Sequence, residues 1–346
     1  APAHPVTPLD RRGFLTRLAA LTGGAGLAGC VGAGAFPGAA GGAGAADATS
    51  AAGAGAADAT STAGAGTLAR PGSPDHPFRI SLAEWSLHRT IRAGALDPLD
   101  FAPAARARYG LAAVEHVNQF FQEQAGRAAY FARMRRRADD AGVASLLIMC
   151  DAAGALGAPD RAARAAAVER HALWLDAAAE LGCHSIRVNA ESRGTPAEQL
   201  RLCADGLYAL CERAETLGLG VLVENHGGGL SGDGAWLASL MRKVDHPRMG
   251  TLPDFGNFAE GYDRYRGVAE LVPWARAVSA KSHAFDGRGE ETGTDYLRML
   301  ALVLDAGYRG WVGVEYEGDA LPEDEGIRAT IELLRRVREE LAPRYG

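Results

Sequence analysis

The amino-acid sequence predicts an α/β protein built on a single (β/α)8 TIM barrel over residues 73–346. Three observations predict it. From about position 73 the composition turns globular, leaving roughly 270 residues, the usual size of one such barrel. Across that stretch, eight short β-rich runs alternate with Ala-rich amphipathic segments as far as the C-terminus. The first run then leads into Trp85-Ser86-Leu87-His88, not into the glycine fingerprint that opens a doubly wound sheet.

In chain order the predicted strands are 78–82, 113–117, 144–150, 185–189, 220–224, 249–252, 277–282 and 311–315. Helical stretches lie between them, the clearest over 160–181, 196–217 and 235–244, and a last helix over 323–341 follows the eighth strand. Several helices run into glycine just before the next strand, as at Gly142, Gly182 and Gly218, where a left-handed residue closes the final turn. Eight strand–helix units joined by right-handed crossovers give an all-parallel sheet that closes on itself.

The segment before the barrel reads as an address and a tether. Asp10-Arg11-Arg12-Gly13-Phe14-Leu15, a mildly apolar run and Leu27-Ala28-Gly29-Cys30 describe a twin-arginine export signal over 1–30 with a lipobox, so Cys30 is the expected lipidation site. Residues 31–72 are nearly all small or polar and repeat GAGAADATS at 42–50 and 53–61. Such a chain has too little apolar bulk to offset its ordering entropy, which predicts a flexible linker. The expectation is a periplasmic or cell-surface lipoprotein, touching the membrane only through its lipid. No apolar run is long enough for a permanent span. The formal net charge of −6 comes without a basic stripe, which excludes nucleic acid as a partner. Cys150, Cys183, Cys203 and Cys211 follow neither a disulfide framework nor a zinc spacing, so no disulfide is predicted. Homo-oligomer formation is left open.

In a barrel the chemistry gathers at the C-terminal ends of the strands. Here those ends read Glu224-Asn225-His226 after strand five, Asp254-Phe255-Gly256-Asn257 after strand six, Lys281-Ser282-His283 on strand seven and Glu315-Tyr316-Glu317 on strand eight. Alternation puts Leu222, Glu224 and His226 on one side of their strand, and Ser279, Lys281 and His283 on one side of theirs. Carboxylates that face one another at a dry mouth need a counter-charge, and a divalent cation supplies it. Two Glu, one Asp and one His make a hard, oxygen-rich site for Mn2+ foremost, with Mg2+, Co2+ or Zn2+ as alternatives.

The series ENHGG, LPDFGNF, VSAKSHAFD and GVEYEG resembles the xylose isomerase-like TIM barrels, the sugar phosphate isomerases/epimerases. The resemblance implies one metal ion held by Glu224, Asp254, His283 and Glu315. Two departures accompany it. Many relatives carry the strand-seven histidine where this chain has Ser279, and if His283 stands too far beyond the mouth, water or Lys281 takes that quadrant. Some sugar epimerases also have a histidine where this chain has Asn257, which can bind a hydroxyl but carry no proton. His226, Arg187, Asn189, Asn257, Lys281 and His88 are the candidate substrate contacts, with Glu115 and His116 weaker ones.

The reaction implied is an isomerisation or epimerisation of a sugar or sugar derivative, with Glu224 and Glu315 removing and returning a proton beside a carbonyl. Export makes an unphosphorylated sugar, a polyol or a 3-keto glycoside the better substrate, and on the last the same enolate chemistry ends in a lyase or isomerase reaction. A non-catalytic sugar-binding lipoprotein is the competing reading. A repair endonuclease on the same fold is set aside, because it needs more strand-end histidines.

Overall fold

The computed structural model describes residues 76–345. The signal segment, the linker and Cys30 lie outside the described residues. Eight strands alternate with helices: β1 (Arg79–Ala83), β2 (Ala113–Val117), β3 (Ala144–Met149), β4 (Ser185–Val188), β5 (Gly220–Glu224), β6 (Met249–Leu252), β7 (Val278–Ser282) and β8 (Trp311–Tyr316). All pairings are parallel, in the order β6-β5-β4-β3-β2-β1-β8-β7. The ends of that order meet through parallel bridges at Thr251–Ala275 and Asp254–Ser279. There Ser279 donates to the Pro253 carbonyl at 2.9 Å and accepts from the Phe255 amide at 3.1 Å. These bonds close the barrel, and they do so at the C-terminal mouth.

The helices start and stop where their sequence says. Asp160 accepts from the Ala163 amide at 2.7 Å and opens the helix Arg161–Leu181. Thr195 and Glu198 form a capping box ahead of Pro196, and Gly182 closes its helix with a φ of 76° that a side chain would strain. Among the described residues no helix is long and apolar enough to cross a membrane.

Two buried layers position the site. Most apolar side chains pack between the strands and the outer helices. A smaller cluster (Ala83, Val117, Leu147, Met149, Leu222, Leu252 and Ala277) fills the barrel interior. Because side chains alternate, the residue two beyond each interior leucine points to the same axis nearer the mouth. Leu222 therefore lies beneath Glu224, and Leu252 beneath Asp254. Met149 and Leu147 occupy β3, so the carboxylates of the mouth come from β5, β6 and β8, while Trp85 and Phe120, just beyond β1 and β2, pack as apolar side chains against the interior cluster.

Candidate active site

Glu224, Asp254 and Glu315 come together at the mouth. One carboxylate oxygen from each lies within 4.8 Å of the others, and all three side chains are buried. Arg187, itself buried, has its Nε 2.7 Å from Glu224 Oε2, too poorly angled to be a hydrogen bond, and its guanidinium also donates to Asp151 Oδ1 at 2.8 Å. Asn189 donates to the same Asp151 oxygen at 2.7 Å, and Asn257 donates to Glu224 Oε1 at 3.0 Å. On the opposite flank Lys281 Nζ lies 2.8 Å from Glu315 Oε1 and 3.0 Å from Glu317 Oε2, and Trp85 donates its indole N–H to Glu317 at 2.8 Å. Ser279 donates to Glu315 Oε2 at 2.9 Å.

Asp254 is held by its own turn. Its Oδ1 accepts from the amides of Gly256 and Asn257 at 2.8 and 2.7 Å, and Asn225 exchanges two hydrogen bonds with its backbone. Its Oδ2 is buried with no hydrogen-bond partner. A fourth carboxylate, Glu115 on β2, lies deeper in the barrel, where Ser81 donates to one oxygen at 2.6 Å and the other has no partner. Gly313 leaves it room, because a Cβ there would stand 2.5 and 2.6 Å from the two Glu115 oxygens.

The electrostatics follow from burial. Removal from water pushes Glu224 up to about 7, with Arg187 opposing the shift and Glu315 adding to it. Burial likewise raises Asp254 to about 7, against the pull of Lys281. Glu115 is raised to about 7 by burial, against its Ser81 hydrogen bond. Asp151 goes the other way: its burial is outweighed by Arg187, which holds it well below the usual carboxylate range. Burial works against the charge on Lys281, yet Glu315, Asp254 and Glu317 together hold its ammonium protonated well above the ordinary range.

These residues fit a divalent metal. The three converging carboxylates, with Asp151 and Glu317 beside them, outnumber the cations Arg187 and Lys281. The unpartnered Asp254 Oδ2 is the kind of buried acceptor that a cation satisfies. Glu224, Asp254 and Glu315 are the residues that would hold the ion.

Of the other sequence-predicted site residues, Arg187, Asn189, Asn257 and Lys281 border the trio. His226 is half-buried just beyond the end of β5. His88 stands aside, stacked on Trp85 at 5.0 Å with its Nδ1 donating to the Trp85 carbonyl. His283 is not brought into the cluster. It is exposed, because β7 ends at Ser282 and the chain then turns outward, its amide donating to Glu291 at 3.3 Å. Lys281 takes that quadrant instead. Sequence reasoning missed Ser279, Asp151 and Glu317 as members of the site. Glu317 carried a usable signal, since it repeats the β8 alternation two residues after Glu315. Of the weaker pair, Glu115 faces the barrel interior, while His116 faces the helices, against Phe101 and Phe121.

A closed parallel barrel with a buried carboxylate centre at its C-terminal mouth defines the class. The chain belongs to the xylose isomerase-like TIM barrel family, whose sequence model matches residues 103–337. One curated relative, the alpha subunit of a 3'-dehydrocarminate deglycosidase from a Microbacterium species, is 33% identical over 58 residues, and this match spans 17% of each chain. Among solved structures, the IolI protein with a bound zinc atom superposes with a TM-score of 0.62 at 12% identity, covering 76% of this chain and 99% of that one. The 3-keto-D-glucoside 4-epimerase of E. coli superposes with a TM-score of 0.57 at 15% identity, covering 69% of this chain and 94% of that one. At such identities these structural likenesses establish the fold.

Proposed function

We propose that the protein is a divalent-metal-dependent isomerase or epimerase that moves a proton at a carbon next to the carbonyl of a sugar or sugar derivative. The observation that carries this reading is the convergence of Glu224, Asp254 and Glu315 within 4.8 Å at the barrel mouth. When bound, the ion supplies Lewis-acid polarisation of the carbonyl. Glu224 and Glu315 come from different strands and approach from different sides, so one can take the proton and the other return it. Arg187 and Asn257 fix the rotamer of Glu224, while Ser279 and Lys281 fix that of Glu315. The two cations also stand beside the position where negative charge develops. The apolar wall of Trp85, Val117 and Phe120 limits the access of water from the other half of the mouth.

The test is substitution of the proton carriers. Glu224→Gln and Glu315→Gln proteins that keep their fold and their metal should lose turnover; full turnover in either sinks the proposal.

A second reading has a specific observation behind it. The curated relative and the E. coli structure are both named for sugars carrying a keto group at position 3. On a 3-keto glycoside, removal of the C2 proton leaves an enolate. Its electron pair then forms the C1–C2 double bond as the C1 substituent departs with its own pair and takes up a proton. Release of the free C1 substituent marks this lyase reaction, and a new epimer marks the first. We further propose that the chain is exported and lipid-anchored at Cys30, as Arg11-Arg12 and Leu27-Ala28-Gly29-Cys30 suggest. Labelling with a radioactive fatty acid, lost in Cys30→Ser, tests it.

A further inference from the structure

The ligands that converge on the proposed metal position are all oxygens. The trio offers carboxylates, and no imidazole or thiol joins it among the described residues. The buried side chain nearest in kind is Ser279. It lies beside Asp254 through the bridge that closes the barrel, and its hydroxyl donates to Glu315 Oε2 at 2.9 Å. Other nitrogen and sulfur groups near the mouth stay out of this cluster: half-buried His226, just beyond β5, is not among the groups that converge within 4.8 Å. His283 is exposed, His88 is stacked on Trp85 with its Nδ1 on a backbone carbonyl, and His116 faces the helices. Cys150 is buried in the outer layer with its thiol toward the Ile148 carbonyl. The nitrogens that do reach the carboxylates, from Arg187, Lys281 and Asn257, are donors with no lone pair to give.

We infer that this chain holds its metal through an all-oxygen ligand set, Glu224, Asp254 and Glu315 with the Ser279 hydroxyl beside them, and therefore separates Zn2+ only weakly from Mn2+. The inference rests on the metal-dependent reading above. Imidazole and thiolate donors are what favour zinc over the harder ions; carboxylate, hydroxyl and water suit Mg2+ and Mn2+. The general order that places zinc above manganese persists, but with oxygen donors the gap narrows.

Two readouts test this without turnover. The full 346-residue chain, stripped by chelator, is equilibrated with equal Mn2+ and Zn2+, and its metal content is measured. The expected Zn:Mn ratio stays within about tenfold, and Ser279→His widens it by about tenfold or more. A wild-type ratio above about tenfold overturns the inference. In parallel, electron spin-echo modulation of the Mn2+ form should show no coordinated nitrogen in the wild type and a new one in Ser279→His. If Ser279→His does not fold, the wild-type spectrum decides alone. A nitrogen coupling there, abolished in His226→Ala or His283→Ala, overturns the inference while leaving the metal reading intact. Failure to bind either ion overturns the metal reading itself.

Discussion

Arg187 opposes the burial of two carboxylates, holding Asp151 well below the usual range and limiting the rise of Glu224 to about 7. Its side chain is 5% exposed, with Glu224 at 1% and Asp151 at 17%. Arg187→Leu keeps the bulk and removes the charge. Leaving a buried carboxylate without its partner costs about 3–5 kcal/mol, mostly from Glu224, since Asp151 retains some water. For a barrel of this size that corresponds to a fall in Tm on the order of 10 °C. The loss depends on pH with a definite sign. In the variant both carboxylates have folded-state pKa values above their unfolded ones, so the penalty is absent below the unfolded pKa and grows as pH rises. In the wild type the depressed Asp151 adds stability above its unfolded pKa, and the variant loses that too. Thermal unfolding of metal-free wild type and variant at about pH 5 and about pH 8 measures both effects. The gap should already be open at the lower pH, where the share from Asp151 is complete, and wider at the higher, where the share from Glu224 is added. A gap under 1 kcal/mol at both, on the order of a degree or two in Tm, refutes the reasoning.

Further expectations follow from the same centre. Glu115 is raised to about 7, so it weakens the folded state progressively between its unfolded pKa and about 7. Glu115→Gln should therefore gain up to about 3 kcal/mol in urea unfolding near pH 8, and nothing near pH 4. Gly313→Ala drives a methyl group against the Glu115 carboxylate and should cost about 1–3 kcal/mol in the same assay. Divalent metal should raise Tm more at about pH 8 than at about pH 5.5, because Glu224 and Asp254 must lose protons to bind it. The free thiols of Cys150, Cys183, Cys203 and Cys211 are buried, and a thiol reagent should reach them only on unfolding; prompt reaction with any of them in the native protein contradicts their packing.

The barrel was legible because each strand–helix unit repeats the same pattern, and strand and helix boundaries moved by only a few residues between expectation and structure. The carboxylates were legible for a related reason: a strand-end acid beyond an interior leucine has one direction to point. Where the residues underdetermine direction, reading stops. His283 satisfies the β7 alternation, yet the strand ends one residue earlier and the chain turns away, a feature that alternation does not encode. Ser279 looks like an ordinary small strand residue until the β6–β7 closure sets it beside Asp254. Asp151 looks like a loop acid; Arg187 on β4 and Asn189 just beyond it reach across and draw it into the site. Glu115 and His116 are neighbours on one strand, and the choice of which faces the interior depends on the β2–β3 register, with its shift between Val114 and Glu115.

The central claim is proton transfer at a carbon beside a carbonyl, and solvent exchange reads it directly. Mn2+-loaded protein is incubated in D2O with ketoses and with 3-keto glucosides, and deuterium at the carbon next to the carbonyl is followed by NMR. The account predicts enzyme-dependent exchange at that carbon on at least one of these substrates, lost in Glu224→Gln and Glu315→Gln. Tight sugar and metal binding with no exchange on any of them contradicts it and makes the barrel a binding protein.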